Sequence, residues 1–120
     1  MENSVKFSEV GKILIASLSG EIDHHLAKGT REAIDEMLFF TKPEVLVLDF
    51  SAVRFMDSSG IGLIIGRADV ASGLGSEVRI SGLSEAQRKL VRLSGIEKLR
   101  NVRIEEEKQG RKNNNEESYK

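Results

Sequence analysis

Cysteine is absent from the chain, which excludes disulfides, thiolate-bound zinc and thiol nucleophiles together. The absence fits a reducing, cytoplasmic compartment. Charge of one sign is equally lacking. The 18 Lys and Arg against 19 Asp and Glu leave a net charge of −1. No global field therefore draws the chain toward nucleic acid or an anionic membrane. Long apolar runs are missing too, none approaching the ~20 residues that span a bilayer. The N-terminus, Met1-Glu-Asn-Ser-Val-Lys-Phe7, lacks the basic-then-apolar pattern of a signal peptide. The expectation is a soluble, cytoplasmic protein that makes no direct contact with nucleic acid or membrane. Histidine occurs only at His24 and His25. Consecutive helical residues point about 100° apart and do not converge on one ion. With no third ligand in view, the pair reads as polar residues at a surface or loop edge, and no metal is expected.

What is present is 120 residues, enough for one compact domain with a modest core. Residues 4–10 alternate as a half-buried edge strand does, and Gly11-Lys12 can turn the chain into a second strand ending near Leu18. Asp23 can cap a helix that carries Leu26, Ala33, Ile34, Met37 and Leu38 on one face. That helix should stop near Thr41-Lys42-Pro43, because the residue before a proline is biased out of helical geometry. Val45 to Phe50 is nearly continuous apolar sequence, the pattern of a strand covered on both faces. A second helix follows from about Ser58 to Ser72, with Ile61, Ile64, Ile65 and Ala68 as its apolar repeat. Glu77 to Ile80 is a short strand. Ser84-Glu-Ala-Gln87 has the form of a capping box opening a third helix, whose apolar face is Leu90, Val91 and Leu93 and which Ser94-Gly95 closes. Leu99 to Ile104 completes the pattern as an edge strand. The order ββαβαβαβ predicts a single α/β domain over residues 1–104, a mixed sheet of about five strands with three to four helices packed against it. Residues 105–120 are almost devoid of apolar side chains and read as a disordered charged tail.

The most informative stretch is Phe55-Met-Asp57-Ser58-Ser59-Gly60-Ile-Gly62, where a strand gives way to a helix. On one reading Asp57 caps the helix and the serines are ordinary first-turn residues. On the other, Ser58 is a phosphorylation site, since a phosphate is well tolerated at the positive end of a helix. Nucleophilic catalysis is disfavoured. A nucleophile elbow needs Gly-x-Ser-x-Gly, and Met56 and Asp57 stand where the first glycine would be. Dinucleotide binding is disfavoured as well. In Gly60-x-Gly62-x-x-x-Gly66 the third glycine falls one residue late, and no acidic residue ends the next strand. The glycines read instead as thinning one side of the helix for close packing. Arg88, Lys89 and Arg92 alternate with Glu85 and Glu97 and read as a solvated face.

Three motifs in order, Gly20-Glu-Ile-Asp-His-His25, Phe55-Met-Asp-Ser-Ser-Gly-Ile-Gly62 and Leu93-Ser-Gly-Ile96, resemble the STAS domain of bacterial anti-sigma factor antagonists, most nearly the sporulation-pathway type. The resemblance spans about residues 4–104. It implies a non-catalytic regulator without a cofactor. The unphosphorylated form would bind an anti-sigma factor that is also a serine kinase, releasing a sigma factor in sporulation or stress. Phosphorylation would fall on Ser58, with Ser59 as the weaker candidate, and would switch binding off. A PP2C-type phosphatase would restore it. Glu21, Asp23, Asp57, Ser58, Ser59 and Gly60 would form the docking surface of a chain that is monomeric when free. The competing expectation is a STAS subunit of a large stress-signalling scaffold.

Overall fold

The computed structural model describes residues 5–105, so the expected tail, apart from Glu105, lies outside the described residues. Strands β1 (Val5–Val10) and β2 (Ile13–Ile22) form an antiparallel hairpin across Gly11-Lys12. Helix α1 (His24–Thr41) leads to β3 (Val45–Met56), α2 (Ser58–Gly73) to β4 (Glu77–Ser81), and α3 (Glu85–Leu93) with a 3-10 turn (Ile96–Lys98) to β5 (Val102–Ile104). Strands β2 to β5 pair in parallel, and the sheet order is the chain order. The domain is the mixed five-stranded α/β sheet with three helices that the element order predicts.

Alternate strand residues are buried: Leu14, Ala16 and Leu18 on β2, Leu46, Leu48 and Phe50 on β3, Val78 and Ile80 on β4. Their neighbours Ile13, Ile15, Val45 and Val47 are only half-buried. The sheet thus has one covered face and one partly open face, which corrects the expectation that Val45 to Phe50 is covered on both sides. Here β3 alternates in burial although not in hydrophobicity.

Other expectations are revised. Strand β2 runs on to Ile22 and β3 to Met56, past the ends read from the sequence. Gly20 takes a positive φ of 80° at a register shift instead of ending its strand, and β3 carries an extra residue at each of two such shifts. Beyond Phe50 the burial period lengthens to three, so the alternation that marks a strand is lost from the sequence. The buried stripe of α1 is Thr30, Ile34 and Leu38, starting one turn into the helix, so Leu26 is exposed. Helix α2 buries Gly60, Leu63, Ile64, Arg67, Ala68 and Ala71, which leaves Ile65 outside. This helix is apolar around much of its circumference, so periodicity alone does not say which side faces in. Leu93 is 86% exposed at the end of α3, and the final strand is shortened to Val102–Ile104 by the 3-10 turn.

The helix ends follow the local chemistry. The Asp23 carboxylate accepts from the backbone N–H groups of His25 and Leu26, both at 3.0 Å. Lys42 closes α1 in the left-handed region at φ 45°, its N–H donating to Leu38 O, and Pro43 prevents continuation. The capping box at Ser84 forms with both hydrogen bonds. The same Gln87 side chain also donates to Val53 O at 3.1 Å, tying α3 to the end of β3.

Candidate functional site

Parallel pairing of β2 and β3 places Ile22 beside Met56, so two helices start side by side at one end of the sheet. The join is direct: Asp57 N donates to Ile22 O at 3.3 Å. Asp23 caps one helix and Asp57 the other. The Asp57 carboxylate accepts from Ser59 N at 2.8 Å, and its carbonyl accepts from Gly60 N at 2.9 Å. Ser58, the first residue of α2, is exposed and makes none of these capping bonds, while Ser59 is half-buried. Glu21 is exposed at the end of β2, 3.9 Å from the Arg54 guanidinium. Glu21, Asp23, Asp57, Ser58 and Ser59 therefore cluster at one end of the molecule.

Gly60 does not join that surface, because it is buried. A Cβ there would stand 2.6 Å from Met56 Sδ, so its role is to let the start of α2 close onto the end of β3. Gly62 and Gly66 have no such role: a Cβ at either would meet nothing within 4 Å. This corrects the reading that they thin the helix for close packing.

Sequence reasoning missed a buried ion pair behind the site. Arg67 of α2 donates from Nε to Asp35 Oδ1 at 2.6 Å and from Nη2 to Asp35 Oδ2 at 3.1 Å, a two-pronged clamp between α2 and α1. The Arg67 side chain is 5% exposed. Burial pushes its guanidinium below the ordinary value, the Asp35 carboxylate opposes that shift, and the nearby charge of Arg31 adds to it. The available signal was spacing: Arg67 falls four residues after Leu63 and three after Ile64, on the apolar stripe.

Between the first turns of α1 and α2 lies an open cleft of about 510 Å³. His24, His25, Lys28 and Arg31 line it from α1, and Ser59, Gly62 and Leu63 from α2. The histidines are exposed on the first turn of α1. Among the described residues no group of three or more His, Cys, Asp or Glu side chains is placed to hold a metal ion. No helix among them is long and apolar enough to cross a membrane.

The family model of the STAS domain matches residues 4–108. The chain belongs to the STAS family. An anti-sigma F factor antagonist of Paenibacillus polymyxa is 36% identical over 87 residues, covering 72% of this chain and 74% of that one. The structure of the anti-sigma factor antagonist SpoIIAA in its unphosphorylated form superposes with a TM-score of 0.63 at 27% identity, covering 74% of this chain and 82% of that one. The structure of the Bacillus cell fate determinant SpoIIAA in the phosphorylated form gives 0.65 at 26% identity, covering 87% and 93%. In this STAS domain the Asp-Ser-Ser-Gly motif stands at the exposed start of α2, and the Gly-Glu-Ile-Asp motif stands beside it.

Proposed function

We propose that this STAS domain is an anti-sigma factor antagonist that works as a phosphorylation-controlled binding switch. The observation that carries the reading is the exposed Ser58 hydroxyl at the first turn of a helix already capped by Asp57. A hydroxyl so placed is accessible to a kinase and is not needed to hold the helix start. The unphosphorylated chain binds an anti-sigma factor through Glu21, Asp23, Asp57, Ser58 and Ser59, with Gly60 supporting them from beneath. That partner carries serine-kinase activity, and it places a phosphate on Ser58. A phosphate brings a charge of about −1.5 to −2. At a helix start it is tolerated by the fold, but at a close protein interface it meets desolvation and steric cost. A PP2C-type phosphatase removes the group and restores binding. The names of the curated relatives and the two SpoIIAA structures support this reading. The chain itself acts as substrate and ligand, without catalysis of its own.

The test is incubation of the purified protein with the anti-sigma factor of the same organism and ATP, followed by intact mass and site mapping. One added phosphate at Ser58, with loss of the complex, is the expected result. Unmodified protein after prolonged incubation, with a known substrate modified in parallel, overturns the switch.

A further inference from the structure

The cleft beside Ser59 holds positive charge that nothing in the domain uses. Every ionisable side chain lining it is basic or an imidazole, on a chain whose net charge is −1. No carboxylate lines the cleft, and Glu32, one turn after Lys28, is exposed and makes no ion pair with it among the described residues. Asp23 and Asp57 accept from helix N–H groups. Asp35, one turn beyond Arg31 and its natural helical partner, gives both oxygens to Arg67. Among the described residues neither Lys28 nor Arg31 makes an ion pair. Both are exposed, and the charge of Arg31 disfavours that of Arg67 across the two adjoining helices. Both bordering helices also begin here and direct the positive ends of their dipoles to the same side.

We propose that this cleft receives side-chain carboxylates from an acidic segment of the protein that docks at the Ser58 end. The inference rests on the binding-switch reading above and names the chemistry of the partner's contact. Charge complementarity selects the occupant, because a concave basic site with no internal counter-charge gains most from an acidic one. The site is also continuous with the proposed docking surface, since Ser59 belongs to both. A phosphoryl group on Ser58 would stand one residue from the cleft and compete with the partner's carboxylates for the same cations. The switch would then act by substitution of one anion for another as well as by repulsion.

The test is calorimetric titration of the anti-sigma factor of the same organism at two salt concentrations. The titrants are the wild-type chain, Lys28→Gln/Arg31→Gln, Lys28→Glu/Arg31→Glu, and Lys12→Glu at the opposite end of the sheet. The expected result is affinity reduced ~10-fold in the glutamine pair and ~100-fold in the glutamate pair, with a shallower salt dependence in both. Lys12→Glu should stay near wild-type affinity, and every variant should melt within about 4 °C of wild type, since each change alters only exposed charge pairs. Wild-type affinity in both double variants overturns the cleft while leaving the switch standing. So does weaker binding with an unaltered salt dependence, because lost shape would then explain it. No binding by the wild-type chain overturns the switch reading and this inference with it.

Discussion

At the scale of single residues, Ser58 and Gly60 lie two positions apart and are expected to fail in opposite ways. Ser58 is exposed and outside the capping bonds. An aspartate there gains ~0.3–1 kcal/mol from the helix dipole and loses a similar amount to Asp57 beside it. Ser58→Asp should therefore melt within about 4 °C of wild type and yet lose the partner. Ser58→Ala should bind normally and stay bound when ATP is added. Melting curves with pull-down of the anti-sigma factor separate the two effects, and a Ser58→Asp protein that still binds tightly contradicts the switch. Gly60→Ala should behave in reverse. Its methyl group needs the Met56 side chain to move, an overpacking cost of about 1–3 kcal/mol. Partner affinity of the folded fraction should be nearly unchanged, and chemical denaturation checks the stability loss directly. Gly82 is the harsher position. It combines φ of 74° with a Cβ position 2.6 Å from Ser51 N and 2.8 Å from Asp49 Oδ1, and neither backbone nor a carboxylate already bonded to Ser51 yields readily. Gly82→Ala should cost more than Gly60→Ala in the same denaturation series.

At the scale of elements, the Asp35–Arg67 clamp joins α1 to α2, and its variants should differ in the damage they do. Asp35→Ala strands a guanidinium that is 5% exposed, whereas Arg67→Met leaves a carboxylate with 27% of its surface in solvent. Removing one partner of a buried pair costs about 3–5 kcal/mol, and partial exposure lowers that figure for the survivor. Asp35→Ala should therefore be the more destabilising change. The double variant Asp35→Leu/Arg67→Met should recover much of the loss, since an apolar pair of similar size needs no compensation. Urea titrations of the four proteins test that order, and a double variant as unstable as Asp35→Ala would contradict it. The same clamp shows where the sequence was legible and where it was not. Caps are local, so Asp23, Asp57 and the Ser84–Gln87 box could be read directly from residue order. Helix orientation is not local. On α2 the inward side includes an arginine whose partner lies 32 residues away, and although its spacing places it on the apolar stripe, no local window names that partner. Strand ends failed for a related reason. Beyond Leu18 and Phe50 the two strands continue through register shifts that each depends on the other to define. The candidate site was legible because its elements are caps and a motif. The basic cleft was not, because it forms only when two helices meet.

At the scale of the whole molecule, the sheet has two unlike ends. The carboxyl ends of β2 and β3 carry the two helix starts, the acidic caps, Ser58 and the basic cleft, the end where open α/β sheets place their binding sites. The opposite end carries the last turn of α1, where Phe39 is 54% and Phe40 85% exposed. Helix α1 has 18 residues, which at ~1.5 Å per residue separates those rings from His24 by a distance beyond the reach of any side chain. If partner binding is confined to the Ser58 end, Phe40→Ser should leave affinity for the anti-sigma factor within about twofold, as expected for a residue outside the contact. The same variant bears on the scaffold alternative. A subunit of a large assembly needs surfaces beyond one docking end, and an exposed phenylalanine pair remote from Ser58 is the place to look for one. For the binding-switch reading, sedimentation of the free chain should give a single species near its mass of 13.3 kDa, for wild type and Phe40→Ser alike. A large particle that Phe40→Ser dissolves would move the function from the switch to the scaffold. It would also make the Phe39–Phe40 end, rather than the Ser58 end, the surface through which the domain acts.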